Sequence, residues 1–149
     1  MTSYLIDINV WLAMTWDRHP QHVSASRWYD ATDRVALWFC RFTMLGLLRL
    51  LTNQKVMGDS TVTLAAAWEI YDQWNQDPRV ELAPEPRGME TFFRQATAPF
   101  SKLPATNAVA DCYLVGFAQS AGARVVAFDK GLARTAQFRK VPVTLLKPE

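Results

Sequence analysis

Three acids stand alone in apolar surroundings. Asp7 is the only charged residue before Asp17, Asp111 the only one between Lys102 and Arg124, and Asp129 closes the run Val125, Val126, Ala127, Phe128. Carboxylates brought together repel one another, and the repulsion is relieved by protonation or by a bound cation. Oxygen donors favour a hard divalent ion such as Mg2+, with Mn2+ as a substitute. Such an ion, with water attached, is suited to hydrolysing a phosphodiester, because it activates the water and neutralises the charge that develops. Each acid also suits a plainer role: a helix cap for Asp7, a favourable charge at a helix start for Asp111, and a turn for Asp129, Lys130 and Gly131.

The elements that must position these acids alternate between two periodicities. Tyr4 to Trp11 is an apolar run with one acid, and a strand of this kind is buried on both faces at the centre of a parallel sheet. A carboxylate inside it would be costly, so Asp7 is expected where the strand ends, with Asn9 beside it as a hydrogen-bonding support. Further strands are predicted at residues 35–40, 79–83, 125–128 and 143–146. Helices are predicted after Asn9, from Val23 to about Asp33, and at 42–51, 61–76 and 88–98. A long helix capped by Thr106 or Asn107 runs to Ala121, a short one covers 130–135, and residues 53–60 read as a loop. Strands separated by helices imply an α/β domain with right-handed crossovers. If the fourth strand returns beside the first, Asp7 and Asp129 flank the switch point where open parallel sheets bind ligands.

With 149 residues, half of them hydrophobic and no linker or repeat, the chain reads as one domain, 1–149, with a core of its own. A net charge of +2 does not by itself announce nucleic-acid binding. Cys40 and Cys112 have no paired spacing and are read as reduced core thiols. The expectation is a soluble cytoplasmic protein without a signal peptide or membrane span. His19 and His22 are assigned surface or capping roles rather than a metal site. Of six tryptophans, Trp11, Trp28, Trp38 and Trp68 are placed in or near the core, while Trp16 and Trp74 are offered to bases or a partner. Arg49 and Lys130 are candidate RNA-backbone contacts, since phosphate binding needs cations near the acids.

The order of these motifs resembles a known family. Leu5, Ile6, Asp7, Ile8, Asn9, Val10 at the start, then Ala110, Asp111, Cys112, Tyr113, Leu114, then Val126, Ala127, Phe128, Asp129, Lys130, Gly131 are similar to a PIN domain. The stretch from Arg41 to Asn53 and that from His19 to Trp28 narrow the resemblance to the VapC toxins of toxin–antitoxin pairs. It implies a three-layer α/β/α sandwich with a central parallel sheet of about five strands. It also implies a Mg2+-dependent endoribonuclease of the bacterial cytoplasm, usually a homodimer, that cuts RNA and is silenced by a VapB-like antitoxin. Asp7, Asp111 and Asp129 match the family's metal-binding acids, and Asn9 its supporting polar residue.

Two positions depart from the family pattern. Many relatives carry a further acid about where Gly46 stands, yet no acid lies between Asp33 and Asp59, and Ala127 replaces a frequent hydroxyl residue. Waters can substitute for a missing carboxylate on Mg2+, so activity is expected with the metal bound weakly until RNA phosphate adds oxygens. The same departure supports an alternative, a catalytically lapsed PIN domain that binds RNA or a protein without cleaving. A phosphoacceptor receiver is set aside, because the third strand ends in Ala83 and Pro84 rather than an acceptor acid.

Overall fold

In the computed structural model, which describes residues 1–148, the strand β1 (Thr2–Ile6) lies at the centre of a five-stranded sheet. β2 (Val35–Phe39) and β3 (Val80–Leu82) extend it on one side, β4 (Arg124–Ala127) and β5 (Val143–Leu145) on the other, all in parallel, in the order β3-β2-β1-β4-β5. The sheet reverses direction of growth between β1 and β4, which meets the condition for Asp7 and Asp129 to flank the switch point. Successive residues of a strand point to opposite faces, so Ile6 and Val126 enter one core while Leu5 and Val125 enter the other.

Helices cover both faces and complete the α/β/α sandwich. α1 (Ile8–Thr15), α2 (His22–Ala31), α3 (Arg41–Leu51), the single turn α4 (Gln54–Met57) and α5 (Leu64–Trp74) contribute to the first core. Trp11 is fully buried there, its ring stacked on Phe39 with centroids 3.7 Å apart. His22 accounts for its own position: Nδ1 lies 2.6 Å from the Ala13 carbonyl, so the Nδ1-protonated ring donates to it and ties α2 to α1.

The second core is built by α6 (Met89–Thr97), α7 (Val109–Ala121) and α8 (Lys130–Phe138). Gly116 sets the distance between α6 and α7. A Cβ there would stand 2.6 Å from the Phe93 backbone nitrogen, so only glycine permits this approach.

Several local expectations are corrected. Residues 53–60 are not a loop, because the Asn53 side chain accepts from the Lys55 N–H at 2.9 Å and starts α4, followed by a 3-10 turn at Gly58–Ser60. Neither Thr106 nor Asn107 caps α7: they form a 3-10 turn, and the helix begins behind Ala108 with no side-chain cap. α8 runs on to Phe138, since Leu132, Ala133 and Ala136 keep a buried stripe past Thr135. Two tryptophans exchange roles. Trp74 packs on Trp11 and donates its indole N–H to Thr15 at 2.9 Å, whereas Trp68 is 43% exposed. Trp16 likewise packs against the core.

Candidate active site

The two central strands end in the same way. β1 stops at Ile6, and Asp7 keeps an extended backbone, donates its N–H to the Val126 carbonyl at 2.9 Å, and caps α1. β4 stops at Ala127, and after Phe128 the extended Asp129 caps α8. Each aspartate uses one oxygen on the following helix: Asp7 Oδ1 accepts from the Ile8 N–H at 2.8 Å, and Asp129 Oδ1 from the Gly131 N–H at 2.6 Å. The cap read for Asp7 is present, and Asp129, read as part of a turn, caps a helix as well. The two caps also fix both carboxyl groups at the carboxyl edge of the sheet, at the switch point.

Asp111 arrives from the other layer, as the third residue of α7. All three acids line one cleft of about 350 Å³ together with Asn9, Gly46 and Arg49. Burial, and then the charges of Asp111 and Asp129, raise the Asp7 carboxyl to about 6 against the opposing Ile8 hydrogen bond. Asp111 is raised to about 6 by burial and by Asp129. No cation is among the groups that act on either acid, and among the described residues none of the three forms an ion pair. Carboxylates that raise one another in this way, with no ion pair to any of them among the described residues, form a negative pocket that suits a hard divalent ion.

The pocket is not closed around a point. Among the described residues no group of three His, Cys, Asp or Glu side chains is arranged to hold a metal ion as it stands. The donors thus fit Mg2+ in oxygen chemistry and in charge, and closing the site requires the carboxylates to draw inward.

The remaining residues singled out in the sequence fare differently. Asn9 is exposed at the rim and, among the described residues, makes no side-chain hydrogen bond to Asp7; the Ile8 amide is the atom that supports that acid. Arg49 is exposed and lines the cleft, continuing into a shallow depression with Asn53 and Lys55. Lys130 is exposed but does not line the cleft. Ala127 is fully buried in the second core, where a hydroxyl would need a partner.

Sequence reasoning missed a second cleft of about 460 Å³ that shares Asp111 and Asp129 with the first and is lined further by Asn107, Arg134 and Phe138. No spacing within α7 or α8 marks it, because it forms only where the two helices meet. A Cβ on Gly131 would lie 3.1 Å from Asp129 Oδ1 and 3.7 Å from Arg134 Nη2.

The family model of the PIN domain matches residues 4–137. The chain belongs to the PIN-domain family. Within it the resemblance is to the VapC type: the chain is 36% identical over 130 residues to Ribonuclease VapC41 of Mycobacterium tuberculosis, covering 84% of this chain and 88% of that one. Ribonuclease VapC38 of the same organism is 29% identical over 149 residues, covering 95% and 96%. The fold of this PIN-domain chain is also that of the VapBC2 structure from Rickettsia felis bound to a promoter DNA fragment, with a TM-score of 0.67, 7% identity, and coverage of 98% and 100%. Among the described residues of the PIN-domain chain, no helix is long and apolar enough to cross a membrane.

Proposed function

We propose that the chain is the toxin of a VapBC-type pair, a metal-dependent endoribonuclease that hydrolyses RNA phosphodiester bonds in the cytoplasm and is silenced by a VapB-like antitoxin. The observation that carries the reading is the meeting of Asp7, Asp111 and Asp129 in one cleft, with no ion pair to any of them among the described residues. The named relatives, called ribonucleases, support it.

On this reading Asp7, Asp111 and Asp129 hold Mg2+, or Mn2+ in its place. When bound, the ion supplies an activated water and offsets the charge that builds on the phosphate. The helix caps keep Asp7 and Asp129 oriented, each with one oxygen anchored, on residues that line the cleft. Asn9, at the rim, hydrogen-bonds a water or a phosphate oxygen, Arg49 takes the RNA backbone along the cleft, and Lys130 takes it beyond Asp129. The toxin acts as a homodimer.

A second reading, a PIN domain that binds RNA or protein without cutting, is favoured by the lack of a closed ligand group among the described residues. Incubating labelled single-stranded RNA with the native chain and with Asp7→Asn, each in Mg2+ and in EDTA, separates the two. Cleavage that needs both Mg2+ and Asp7 supports the nuclease. Equal, metal-independent behaviour of the two proteins supports the lapsed domain.

A further inference from the structure

The second cleft lies against α6, α7 and α8 and opens onto the acids rather than onto a separate face. Its two shared residues, Asp111 and Asp129, make it adjacent to the acidic cleft. Its other walls are unlike a metal or phosphate site. Phe100 and Phe138 supply aromatic surface, Asn107 an amide, and Arg134 a single positive charge.

Phe138 is 52% exposed at the end of α8, and its ring forms part of the cleft wall. Arg139 lies against its ring, 5.8 Å from the centroid, and is itself held by Gln119 (Nε to Oε1, 3.1 Å) and by Gln95. The ring is therefore braced while it stays open to solvent. Arg134 is exposed and, among the described residues, forms no ion pair, although the negative pocket is beside it. A planar apolar body with a hydrogen-bonding edge and an attached anion matches these features, and an unpaired nucleotide has that make-up.

We infer that this cleft is a nucleotide subsite: the base next to the scissile phosphate stacks on Phe138, its edge meets Asn107, and the adjoining phosphate pairs with Arg134. The assignment rests on the nuclease reading for its placement of the scissile phosphate. Because the base must leave its stack to enter, the subsite selects single-stranded RNA over duplex.

The test is fluorescence anisotropy of an end-labelled single-stranded octaribonucleotide with the full chain in EDTA, over a range of salt. Phe138→Ala is expected to weaken binding about 10-fold and Phe138→Trp to restore it. Arg134→Ala is expected to weaken binding and to flatten the dependence of log affinity on log salt by about 0.7. Trp68→Ala, an exposed aromatic on α5, should leave affinity unchanged. Binding of a hairpin duplex should be weaker and indifferent to Phe138.

The proposal is overturned if the octamer does not bind, or if Phe138→Ala and Arg134→Ala both bind like the native chain. Cleavage in Mg2+, measured alongside, keeps the two claims apart. Unchanged binding with intact cleavage removes the subsite and leaves the nuclease, while Phe138-dependent binding without cleavage does the reverse.

Discussion

Ile8 fills the space that a side chain at Gly46 would enter: a Cβ on Gly46 would stand 2.4 Å from Ile8 Cδ1 and 2.8 Å from Cγ1. Ile8 directly follows Asp7, and Gly46 lines the acidic cleft from α3. The further acid that the family resemblance leads one to expect near this position would meet an apolar plug here. The pair accounts physically for a carboxylate that the sequence shows only as missing.

Gly46→Ala should therefore destabilise the protein by about 1 kcal/mol, because overpacking outweighs the gain in helix propensity. In an Ile8→Ala background the same change should stabilise. Urea unfolding of the four proteins measures the coupling, and simple additivity would refute the packing account.

Removing the plug should also let the cleft regain a ligand. Gly46→Glu combined with Ile8→Ala is expected to bind Mn2+ about 10-fold more tightly than the native chain, since affinity for hard ions rises with carboxylate count. Titration calorimetry reads this directly, and unchanged affinity would place residue 46 outside the ion's reach.

Stability should depend on pH in two opposite ways. Asp7 and Asp111 sit at about 6 in the folded chain, above the ordinary 3.8, so the fold holds their protons more tightly than the unfolded chain does. Their contribution is complete below 3.8 and is lost as pH rises through about 6. Asp77 runs the other way: hydrogen bonds from Arg79, more than the one from Tyr29, hold it at about 2, so its contribution is present above 3.8 and lost as pH falls through about 2. Metal-free protein should melt highest at about pH 4–5 and lower at about pH 8, and excess Mg2+ should recover the loss at the higher pH. Calorimetric scans in EDTA and in Mg2+ check both limbs.

Asp7→Asn separates function from stability. Asparagine keeps an acceptor for the Ile8 N–H but removes a part-buried charge. At about pH 8 without metal the variant should be more stable by roughly 1–2 kcal/mol, and Mg2+ should no longer raise its melting temperature. A variant less stable than the native chain under those conditions would mean that the cap, not the charge, dominates at this residue.

The parts of the fold carried by continuous apolar runs were legible in the chain. Leu5, Ile6, Val125 and Val126 read as strands buried on both faces, and that is where they lie. Asp7 and Asp129 were legible because an acid at the end of such a run has few other places to go. Trp68 and Trp74 were not separable, since both fall on one helical stripe and only the packing against Trp11 and Thr15 decides which is buried. Asn107, Arg134 and Phe138 were missed for a related reason. Their cleft is made where α7 and α8 meet, and no spacing within either helix announces it.

The central claim is that Asp7, Asp111 and Asp129 act together on one divalent ion. Anomalous diffraction from crystals soaked in Mn2+ tests it most directly. The account predicts a peak bounded by these three carboxylates that disappears in Asp111→Asn. No peak in the cleft, or one that persists unchanged in that variant, would contradict it.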